Sequence, residues 1–435
     1  MDSDNALLEF IGINSLDQLF YDVPDKIRIK NNSVKSGMSE MELLINSSDI
    51  GSRNNSNMSI FLGSGSYNRY IPSAVQNIIM RNEFITAYTP YQAEISQGML
   101  QALFEYQSLI SDLAEMDMTN SSMYDGPTAM AEAARMAYRI TGNNHILVPD
   151  NIYRNHLEVL KTYLTGLGIT ILFYRTNENG TIDLEDLKNK IDSNSAAILT
   201  YNPSTCGTID KNIMKIRDIK GKAFHISYYD PISLGILASP GSYDADIAVA
   251  EGQPMGIPMN FGGPYLGLFS FKNEYVRKSP GRLIGETTDS RGKRSFVMTL
   301  QTREQHIRRD KAMSNICTNQ ALMAICSSVY LSVVGSKGLK NIALKSMENV
   351  KRTMDVIEKN SSIRRIDRDS LFFTDFVMKG NGNDIFSTLE KKGVLGGIKA
   401  SRILNRADEK LLLFAATEVI TESDLEKLKI ALEGI

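Results

Sequence analysis

Short apolar, β-rich runs alternate with helical stretches from about residue 95 onward, and this alternation limits the fold more than any other feature. The runs that we interpret as strands are 145–148, 170–173, 197–200, 224–227 and 247–249. Strands that alternate with helices form βαβ units and a mostly parallel sheet that is covered on both faces. The sequence therefore predicts a large α/β domain with a mixed, mostly parallel sheet.

Segments of a different character flank this domain. Residues 1–60 begin with a short apolar and acidic stretch and end in the Asn- and Ser-rich run 52–57, which is typical of loops. After residue 336, a long helix at 339–358 precedes apolar runs and shorter helices, an order that is typical of an α+β unit. The predicted domains are an N-terminal arm at 1–60, a large α/β domain at 61–335 and a small C-terminal α+β domain at 336–435.

Two helical segments carry further signals. Ser423, followed three residues later by Glu426, predicts a capping box at the start of the last helix. The run 312–336 has no charged residue, but Ser, Thr, Asn and Gln side chains interrupt it repeatedly. We therefore interpret it as a buried helix and predict no membrane span.

Charge and the supply of metal-ligating residues exclude several classes of function. The chain has 48 Lys+Arg against 50 Asp+Glu, and this near balance disfavours a nucleic-acid-binding protein. The three cysteines, Cys206, Cys317 and Cys326, have no CxxC spacing, and the four histidines form no ligand-spaced pair, so we predict no metal site. The start of the chain lacks the basic and apolar regions of a signal peptide, which predicts a cytoplasmic location.

Two segments carry residues suited to binding a ligand, in one case the ring of pyridoxal phosphate and in the other a phosphate group. Asp230 follows the predicted strand 224–227, at the edge of the sheet where ligands of open α/β folds bind. A carboxylate there can keep the pyridine nitrogen protonated, although an Asp-Pro turn is an equally good reading. Asp125 to Thr128 precede an Ala-rich helix whose first N–H groups could bind a phosphate, and a simple capped helix start is the alternative.

The lysine that such an enzyme needs is missing from this part of the sequence. Pyridoxal enzymes hold their cofactor covalently through a lysine on the sheet. No lysine occurs between Lys222 and Lys272, and none occurs between Lys35 and Lys161. The absence of an amine from the region of the expected cofactor site constrains the function of this chain more than any single motif does.

Several segments resemble the P-protein of the glycine cleavage system, and in particular the subunit 1 family of split glycine dehydrogenases (decarboxylating), the amino-terminal half of that enzyme. They are 61–67 (FLGSGSY), 84–98 (FITAYTPYQAEISQG), 122–132 (SMYDGPTAMAE), 230–235 (DPISLG), 301–309 (QTREQHIRR) and 315–320 (NICTNQ). These segments keep the order of the family along nearly the whole chain, so the resemblance is specific.

The resemblance implies the fold type I architecture of pyridoxal-phosphate-dependent transferases, of the aspartate aminotransferase kind. It also implies an α2β2 assembly with subunit 2. This assembly is expected to decarboxylate glycine with pyridoxal phosphate and to transfer the aminomethyl group to the lipoyl group of the H-protein. The cofactor is expected to be bound through the partner subunit. Two alternatives stay open: a non-catalytic scaffold or regulatory subunit, and a stand-alone enzyme that uses another lysine such as Lys272.

The same resemblance gives individual residues a place. Gln253 stands where the family's subunit 2 has its Schiff-base lysine, and glutamine cannot form that bond. Asp125, Gly126, Thr128 and Asp230 become degenerate equivalents of cofactor-binding residues. This chain is therefore expected to keep the cofactor domain without its chemistry.

A further segment is expected at the interface with the partner subunit. In fold type I dimers, the segment about 35 residues before the phosphate loop often reaches into the neighbouring site. Tyr88, Thr89, Tyr91 and Gln92 occupy that position here. Their hydroxyl and amide groups could bind the partner's phosphate or the carboxylate of glycine, and a turn with a purely structural role is the alternative.

Overall fold

The structure is a computed structural model that describes residues 2–29, 35–301, 305–381 and 384–435. Arg303, in a segment that carries the family resemblance, lies outside the described residues. The chain divides into two compact units, Met1–Asn57 and Met58–Ile435. The domain boundaries at residues 60 and 335 stay predictions.

The first unit is more helical than its composition suggests. It contains helices at Asp2–Ile11 and Glu40–Ser52 and a 3-10 turn at Leu16–Phe20. The second helix begins at a capping box, in which Ser39 Oγ accepts from the Glu42 N–H at 3.3 Å and the Glu42 carboxylate accepts from the Ser39 N–H at 2.9 Å. The loop interpretation missed this helix, because it gave weight to Asn and Ser and not to the Ser-x-x-Glu spacing.

A seven-stranded sheet, the large sheet, organises the second unit. In spatial order its strands are Met118–Thr119, Gly267–Phe271, Ile247–Glu251, Phe224–Tyr229, Ser195–Asn202, His145–Pro149 and Thr170–Tyr174. The five strands from Ile247–Glu251 to Thr170–Tyr174 pair in parallel, and the other two pair antiparallel at one edge. The predicted mixed, mostly parallel sheet is therefore confirmed.

Helices cover the large sheet, which explains why its central strands are buried along their whole length. Every residue of Ser195–Asn202 and Phe224–Tyr229 is buried. Helix Gly126–Thr141, which we call the cleft helix, is rich in alanine, and its buried face packs against the strands of the sheet. Its small side chains allow it to lie close to the strand ends, where the candidate site is formed.

The helices of the second unit fall between the strands. They are Ser73–Ile79, Asn82–Ile85, Gln97–Ala114, Gly126–Thr141, Arg154–Leu164, Leu184–Lys190, Ile216–Ile219, Gln305–Arg308, Ala321–Asn360, Ile385–Lys391, Ala400–Ile403 and Glu422–Leu432. Helix Gln97–Ala114 supports a hairpin of Leu283–Thr288 and Arg294–Thr299, because the side chain of Gln107 donates to the Ile284 carbonyl at 3.0 Å.

A smaller antiparallel sheet, the small sheet, follows the longest helix. Its strands, in spatial order, are Arg364–Arg365, Asp375–Lys379, Leu411–Ala415 and Ile398–Lys399. A separate parallel pair joins Ser59–Ile60 to Val394–Leu395. The strand at Asp375 starts later than its apolar run at 371–377, because Thr374 has a left-handed φ of 58°.

The start of the last helix differs from its prediction. Helix Glu422–Leu432 is capped by Thr421, which accepts from the Asp424 N–H at 3.2 Å while Asp424 accepts from the Thr421 N–H at 2.9 Å. The predicted box of Ser423 and Glu426 is therefore wrong by two residues. Asp424 performs the part usually given to glutamate and also accepts from Ser59 Oγ at 2.7 Å.

Among the described residues, one helix, Ala321–Asn360, is long and apolar enough to cross a membrane by length and composition. Its first ten residues include Ala324, Ile325, Cys326 and Tyr330, which are buried in the protein core. A break at Gly335, where φ is 63° and ψ is 176°, divides the helix. These features are those of a core helix, as predicted from its polar interruptions.

Candidate active-site cleft

A cleft lies at the carboxyl ends of the large-sheet strands, facing the small sheet. The strand ends contribute Asp230 and Glu251, and the small sheet contributes Asp375. This is the edge at which ligands of open α/β sheets bind. The cavity that remains between these groups is about 50 Å³, whereas pockets for small molecules usually measure roughly 300–1,000 Å³.

Gln253 is held in the wall of this cleft by a closed set of hydrogen bonds. Its side-chain amide donates to the carbonyls of Tyr67 at 3.1 Å and Ile257 at 2.7 Å, and its side-chain oxygen accepts from the Tyr67 N–H at 2.9 Å. The residue is 2% exposed. Gln253 therefore joins the segment around Tyr67 to the sheet, and its amide is fully used within this chain.

Asp230 lies in the cleft, but its carboxylate is engaged by this chain. Oδ1 accepts from the N–H groups of Ile232 at 2.8 Å and Ser233 at 3.2 Å, and Oδ2 lies 3.9 Å from the Arg69 guanidinium. Burial raises the pKa of Asp230, and the positive charge of Arg69 opposes that rise. The cationic neighbour of this carboxylate is thus a side chain of the chain itself.

Asp125, Gly126 and Thr128 form the start of the cleft helix. Asp125 is its N-cap, and Oδ1 accepts from the Thr128 N–H at 2.8 Å. The Gly126 N–H donates to Glu251 Oε2 at 3.0 Å. Pro127 has no N–H, so the free donors of the first turn are all bound by the chain's own carboxylates.

Aromatic rings fill much of the remaining volume. Tyr153, Tyr201 and Tyr228 are buried next to one another, with ring centroids 4.9 Å apart for Tyr201 and Tyr228 and 6.0 Å apart for Tyr153 and Tyr201. His156 Nδ1 lies 3.0 Å from the Tyr201 hydroxyl, and burial lowers the pKa of His156 to about 3. His156 is therefore neutral at physiological pH.

The residues of the cleft do not fit pyridoxal phosphate. Among the described residues that line the cavity there is no lysine, and the helix start that would bind a phosphate is already bound by Asp125 and Glu251. A Cβ atom added at Gly126 would lie 2.2 Å from the Tyr228 hydroxyl, so there is no spare room at this point. We therefore assign no reaction step to this cleft.

Lys272, the alternative lysine, lies at the opposite edge of the large sheet. It follows the antiparallel strand Gly267–Phe271, whose last residue pairs with Ile247 at the amino end of its strand. Its ammonium group pairs with Asp244 at 2.7 Å and Asp246 at 3.0 Å. Glu251, which lines the cleft, lies at the other, carboxyl end of the strand Ile247–Glu251. Lys272 is therefore away from the cleft and does not serve it.

The segment predicted to lie at an interface is exposed and partly ordered by its own contacts. Tyr91 is 48% exposed, and its hydroxyl accepts from Arg282 at 2.8 Å while its ring packs edge-on against His306. Tyr88 is 78% exposed, and its hydroxyl lies 3.2 Å from Thr318 Oγ1. The contacts of these two tyrosines thus run to the 282–318 region.

The other two residues of that segment differ from the tyrosines. The side chain of Gln92 is exposed at the start of a short 3-10 turn, Ala93–Ile95. The Thr89 hydroxyl is buried and has no hydrogen-bond partner among the described residues. Exposure of Tyr88, Tyr91 and Gln92 leaves their polar groups accessible to another molecule.

The described part of the chain contains no cluster of three or more His, Cys, Asp or Glu side chains that could hold a metal ion. His225, for example, is buried, and its Nε2 lies 2.8 Å from Thr200 Oγ1. Burial lowers the pKa of His225 to about 3, so the ring is neutral and structural.

Sequence reasoning missed four polar residues of the cleft: Tyr67, Arg69, Glu251 and Asp375. The Tyr67 hydroxyl donates to Asp375 Oδ2, and the Ser64 N–H donates to Asp375 Oδ1 at 3.0 Å. Burial raises the pKa of Asp375 to about 6. The available signals were weak, since Tyr67 ends the segment 61–67 of the family resemblance and Glu251 lies two residues after the predicted strand 247–249.

The buried carboxyl of Glu251 predicts a pH dependence of stability. Burial raises its pKa to about 8, so the folded chain holds a proton that the unfolded chain releases near pH 4.5. The folded state therefore binds more protons, and the free energy of unfolding falls as pH rises toward 8. Between pH 6.5 and 8 we expect Glu251 to lower the free energy of unfolding by about 1–2 kcal/mol, measured by urea unfolding as the difference between the wild type and Glu251→Gln.

Two comparisons isolate this effect. His156 and His225 change stability in the opposite direction around their usual pKa of 6.5, but they do so equally in the wild type and in the variants compared, so the difference between variants isolates Glu251. Glu251→Gln should remove the slope, while Asp375→Asn should keep it, because Asp375 titrates near pH 6. Equal slopes in Glu251→Gln and the wild type would contradict the assignment.

Comparison with known proteins identifies the family. The family model for the glycine cleavage system P-protein matches residues 2–432. A probable glycine dehydrogenase (decarboxylating) subunit 1 from Thermoplasma acidophilum is 50% identical over 436 residues and covers 100% of both chains. A protein of the same description from Thermotoga maritima is 40% identical over 427 residues, covering 97% of this chain and 96% of its own.

Solved structures agree with the sequence comparison. The crystal structure of glycine decarboxylase (P-protein) of the glycine cleavage system, in inhibitor-bound form, superposes with a TM-score of 0.89 at 36% identity, covering 98% of this chain and 97% of that chain. The apo cysteine desulfurase of Thermococcus onnurineus has a TM-score of 0.61 at 14% identity, over 87% of this chain and 95% of its own, and shows only the shared fold. The fold is that of fold type I pyridoxal-phosphate enzymes, and the chain belongs to the glycine cleavage system P-protein family, among the members named glycine dehydrogenase (decarboxylating) subunit 1.

Proposed function

We propose that this chain is the subunit without the Schiff-base lysine in a heteromeric P-protein, an α2β2 assembly in which subunit 2 carries that lysine and binds pyridoxal phosphate. The complex decarboxylates glycine and transfers the aminomethyl group to the lipoyl group of the H-protein. When bound to the partner, the cofactor supplies an electron sink for the decarboxylation. The observation that carries the proposal is Gln253, a hydrogen-bonded amide in a cleft whose described lining residues include no lysine, within a chain whose relatives are named subunit 1.

The contribution of this chain is to form part of the wall of the partner's active site. Tyr88, Thr89, Tyr91 and Gln92 are the residues that we place there. Tyr91 is already oriented by Arg282 and His306, so little conformational freedom remains to be lost when the partner binds. Gln92 has an exposed amide that can donate to a phosphate or to the carboxylate of glycine.

This role is one of binding and orientation. Groups that hold a substrate in its reactive geometry and exclude water lower the barrier without forming a covalent bond to it. The exposed hydroxyl of Tyr88 and the amide of Gln92 are suited to orienting an anionic group in this way. Loss of such a contact is expected to reduce turnover while the assembly stays intact.

Separate replacement of Tyr91 by Phe and Gln92 by Ala tests this role. In the complex reconstituted with subunit 2, we expect glycine-dependent CO2 release with lipoylated H-protein to fall about tenfold or more, because the substrate is less well oriented. Size-exclusion chromatography should show an unchanged complex. Tyr70→Phe and Gln101→Ala, which alter other exposed side chains, serve as matched controls and should leave the rate unchanged.

The alternative function is that of a non-catalytic scaffold or regulatory subunit. It is favoured by the self-contained hydrogen bonding of the cleft, which needs no ligand. Full turnover in both Tyr91→Phe and Gln92→Ala would reject the wall-forming role and support the scaffold.

A further inference from the structure

We infer that the former cofactor cleft of this chain is filled by its own side chains, with Glu251 replacing the phosphate at the start of the cleft helix and Arg69 replacing the cationic ring nitrogen beside Asp230. The cleft is then complete without a ligand. This inference concerns the chain alone and does not depend on the proposed function of the complex.

Glu251 has the contacts that a bound phosphate would make. Its Oε2 accepts from the Gly126 N–H at 3.0 Å, at the positive end of the cleft helix. Its Oε1 accepts from the N–H groups of Gln253 at 2.9 Å and Leu266 at 3.2 Å. One buried carboxyl group therefore accepts hydrogen bonds from three backbone N–H groups of three segments, as the oxygens of a bound phosphate do.

A second polar group lies at this point. The hydroxyl of Tyr228 lies 2.2 Å from the position that a Cβ atom on Gly126 would occupy, and it has no hydrogen-bond partner among the described residues. Tyr228 is 9% exposed. The Tyr228 hydroxyl thus lies close to the start of the cleft helix, and the carboxyl group of Glu251 is the group that accepts from the Gly126 N–H there.

Arg69 supplies the opposite charge. Its guanidinium lies 3.9 Å from Asp230, donates to Glu418 at 2.6 Å and donates to Thr374 Oγ1 at 2.9 Å. Burial alone would lower the pKa of Arg69, but the carboxylates of Glu418 and Asp230 outweigh burial and raise it. The carboxylate that would face a protonated ring nitrogen therefore faces a permanent cation of the chain itself.

The same contacts join the small sheet to the large sheet. Arg69 binds Glu418 and Thr374 near the small sheet, and the Tyr67 hydroxyl donates to Asp375, at the start of a small-sheet strand. Gln253 holds the backbone of Tyr67 from the large-sheet side. The two sheets are consequently joined across the cleft by side chains of the chain itself.

Removal of the Glu251 side chain should expose three backbone N–H donors at the start of the cleft helix, to which a small carboxylate such as formate can bind. Thermal unfolding of the full-length chain is measured for the wild type, Glu251→Ala and Glu132→Ala, first in chloride and then in formate of equal ionic strength. Glu132 is the matched control, since it is a buried carboxylate on the cleft helix that pairs with Arg135 at 2.9 Å, away from the helix start. Both variants should unfold at a lower temperature than the wild type in chloride.

The expected result is specific recovery. Formate should raise the Tm of Glu251→Ala saturably and recover a large part of the loss, while the wild type and Glu132→Ala respond equally little. An equal response of the two variants would overturn the assignment of Glu251. The wild-type chain supplies a second test that needs no variant to fold: saturable stabilisation by pyridoxal phosphate would show an open cleft and overturn the inference. Either failure leaves the activity of the complex, and hence the proposed function, unaffected.

Discussion

Replacement of Arg69 by alanine is expected to destabilise this chain by about 3–5 kcal/mol, because it leaves buried carboxylates without their cation. The side chain of Arg69 is 2% exposed, and those of Glu418 and Asp230 are 10% and 14% exposed. Arg69 also donates to Thr374 Oγ1 at 2.9 Å and Ser346 Oγ at 3.3 Å, so the variant loses hydrogen bonds as well as charge balance. Equilibrium unfolding in urea measures the loss.

A matched control comes from Arg81. It pairs with Glu83 at 2.8 Å, but the two side chains are 62% and 64% exposed, and water screens their attraction. Arg81→Ala should therefore leave the midpoint of unfolding unchanged. If Arg69→Ala were equally mild, the buried network across the cleft would contribute nothing to stability, and our account of how the sheets are joined would be wrong.

The second large effect is expected from Gly207→Ala, which should destabilise the chain by about 3 kcal/mol or more. Gly207 has a φ of 82°, and an added Cβ atom would lie 1.8 Å from the backbone carbonyl oxygen of Asp375. The clash is with backbone, so a side-chain rotation cannot relieve it. The N–H of Phe373 donates to the Gly207 carbonyl at 2.8 Å, and the displacement would strain this bond too.

Gly142→Ala separates the steric effect from the conformational one. Gly142 ends the cleft helix with a φ of 72°, and nothing lies within 4 Å of its added Cβ atom. We expect a loss of about 1–2 kcal/mol from the left-handed backbone alone. The free energy of unfolding lost by Gly207→Ala, minus that lost by Gly142→Ala, measures the steric cost of the close backbone approach at Gly207. Equal losses in the two variants would refute that close approach.

Much of the large sheet could be predicted from local pattern. The apolar runs at 197–200 and 224–227 both lie inside observed strands, Ser195–Asn202 and Phe224–Tyr229. The strands are longer than the runs because they continue toward the cleft through residues such as Tyr201 and Tyr228, which are buried in spite of their hydroxyl groups. The periodicity of apolar residues does not predict that the strands extend so far.

The cleft itself could be predicted only in part. Asp230 could be predicted because it directly follows a strand, and ligands of open α/β sheets bind at the carboxyl ends of the strands. Tyr67 and Asp375 are hydrogen-bonded but stand 308 residues apart in the chain, and only the tertiary fold brings them together. Glu251 gave no local sign that its carboxylate would turn to the start of a helix 125 residues earlier.

The most useful sequence observation was that no lysine occurs between Lys35 and Lys161 or between Lys222 and Lys272. It is a property of long stretches of chain and needs no knowledge of which residues are neighbours. The structure adds a physical reason why the chain tolerates that absence. Glu251, Arg69 and Gln253 hydrogen-bond or pair with polar groups of the cleft, so these groups have partners within the chain itself.

The most direct test of the central claim is glycine-dependent CO2 release with lipoylated H-protein and pyridoxal phosphate, measured for this chain alone, for the proposed subunit 2 alone and for their mixture. We predict that this chain alone is inactive, that subunit 2 alone has little activity, and that the mixture releases CO2 at a much higher rate. Activity of this chain alone, or equal activity of subunit 2 with and without it, would contradict the account.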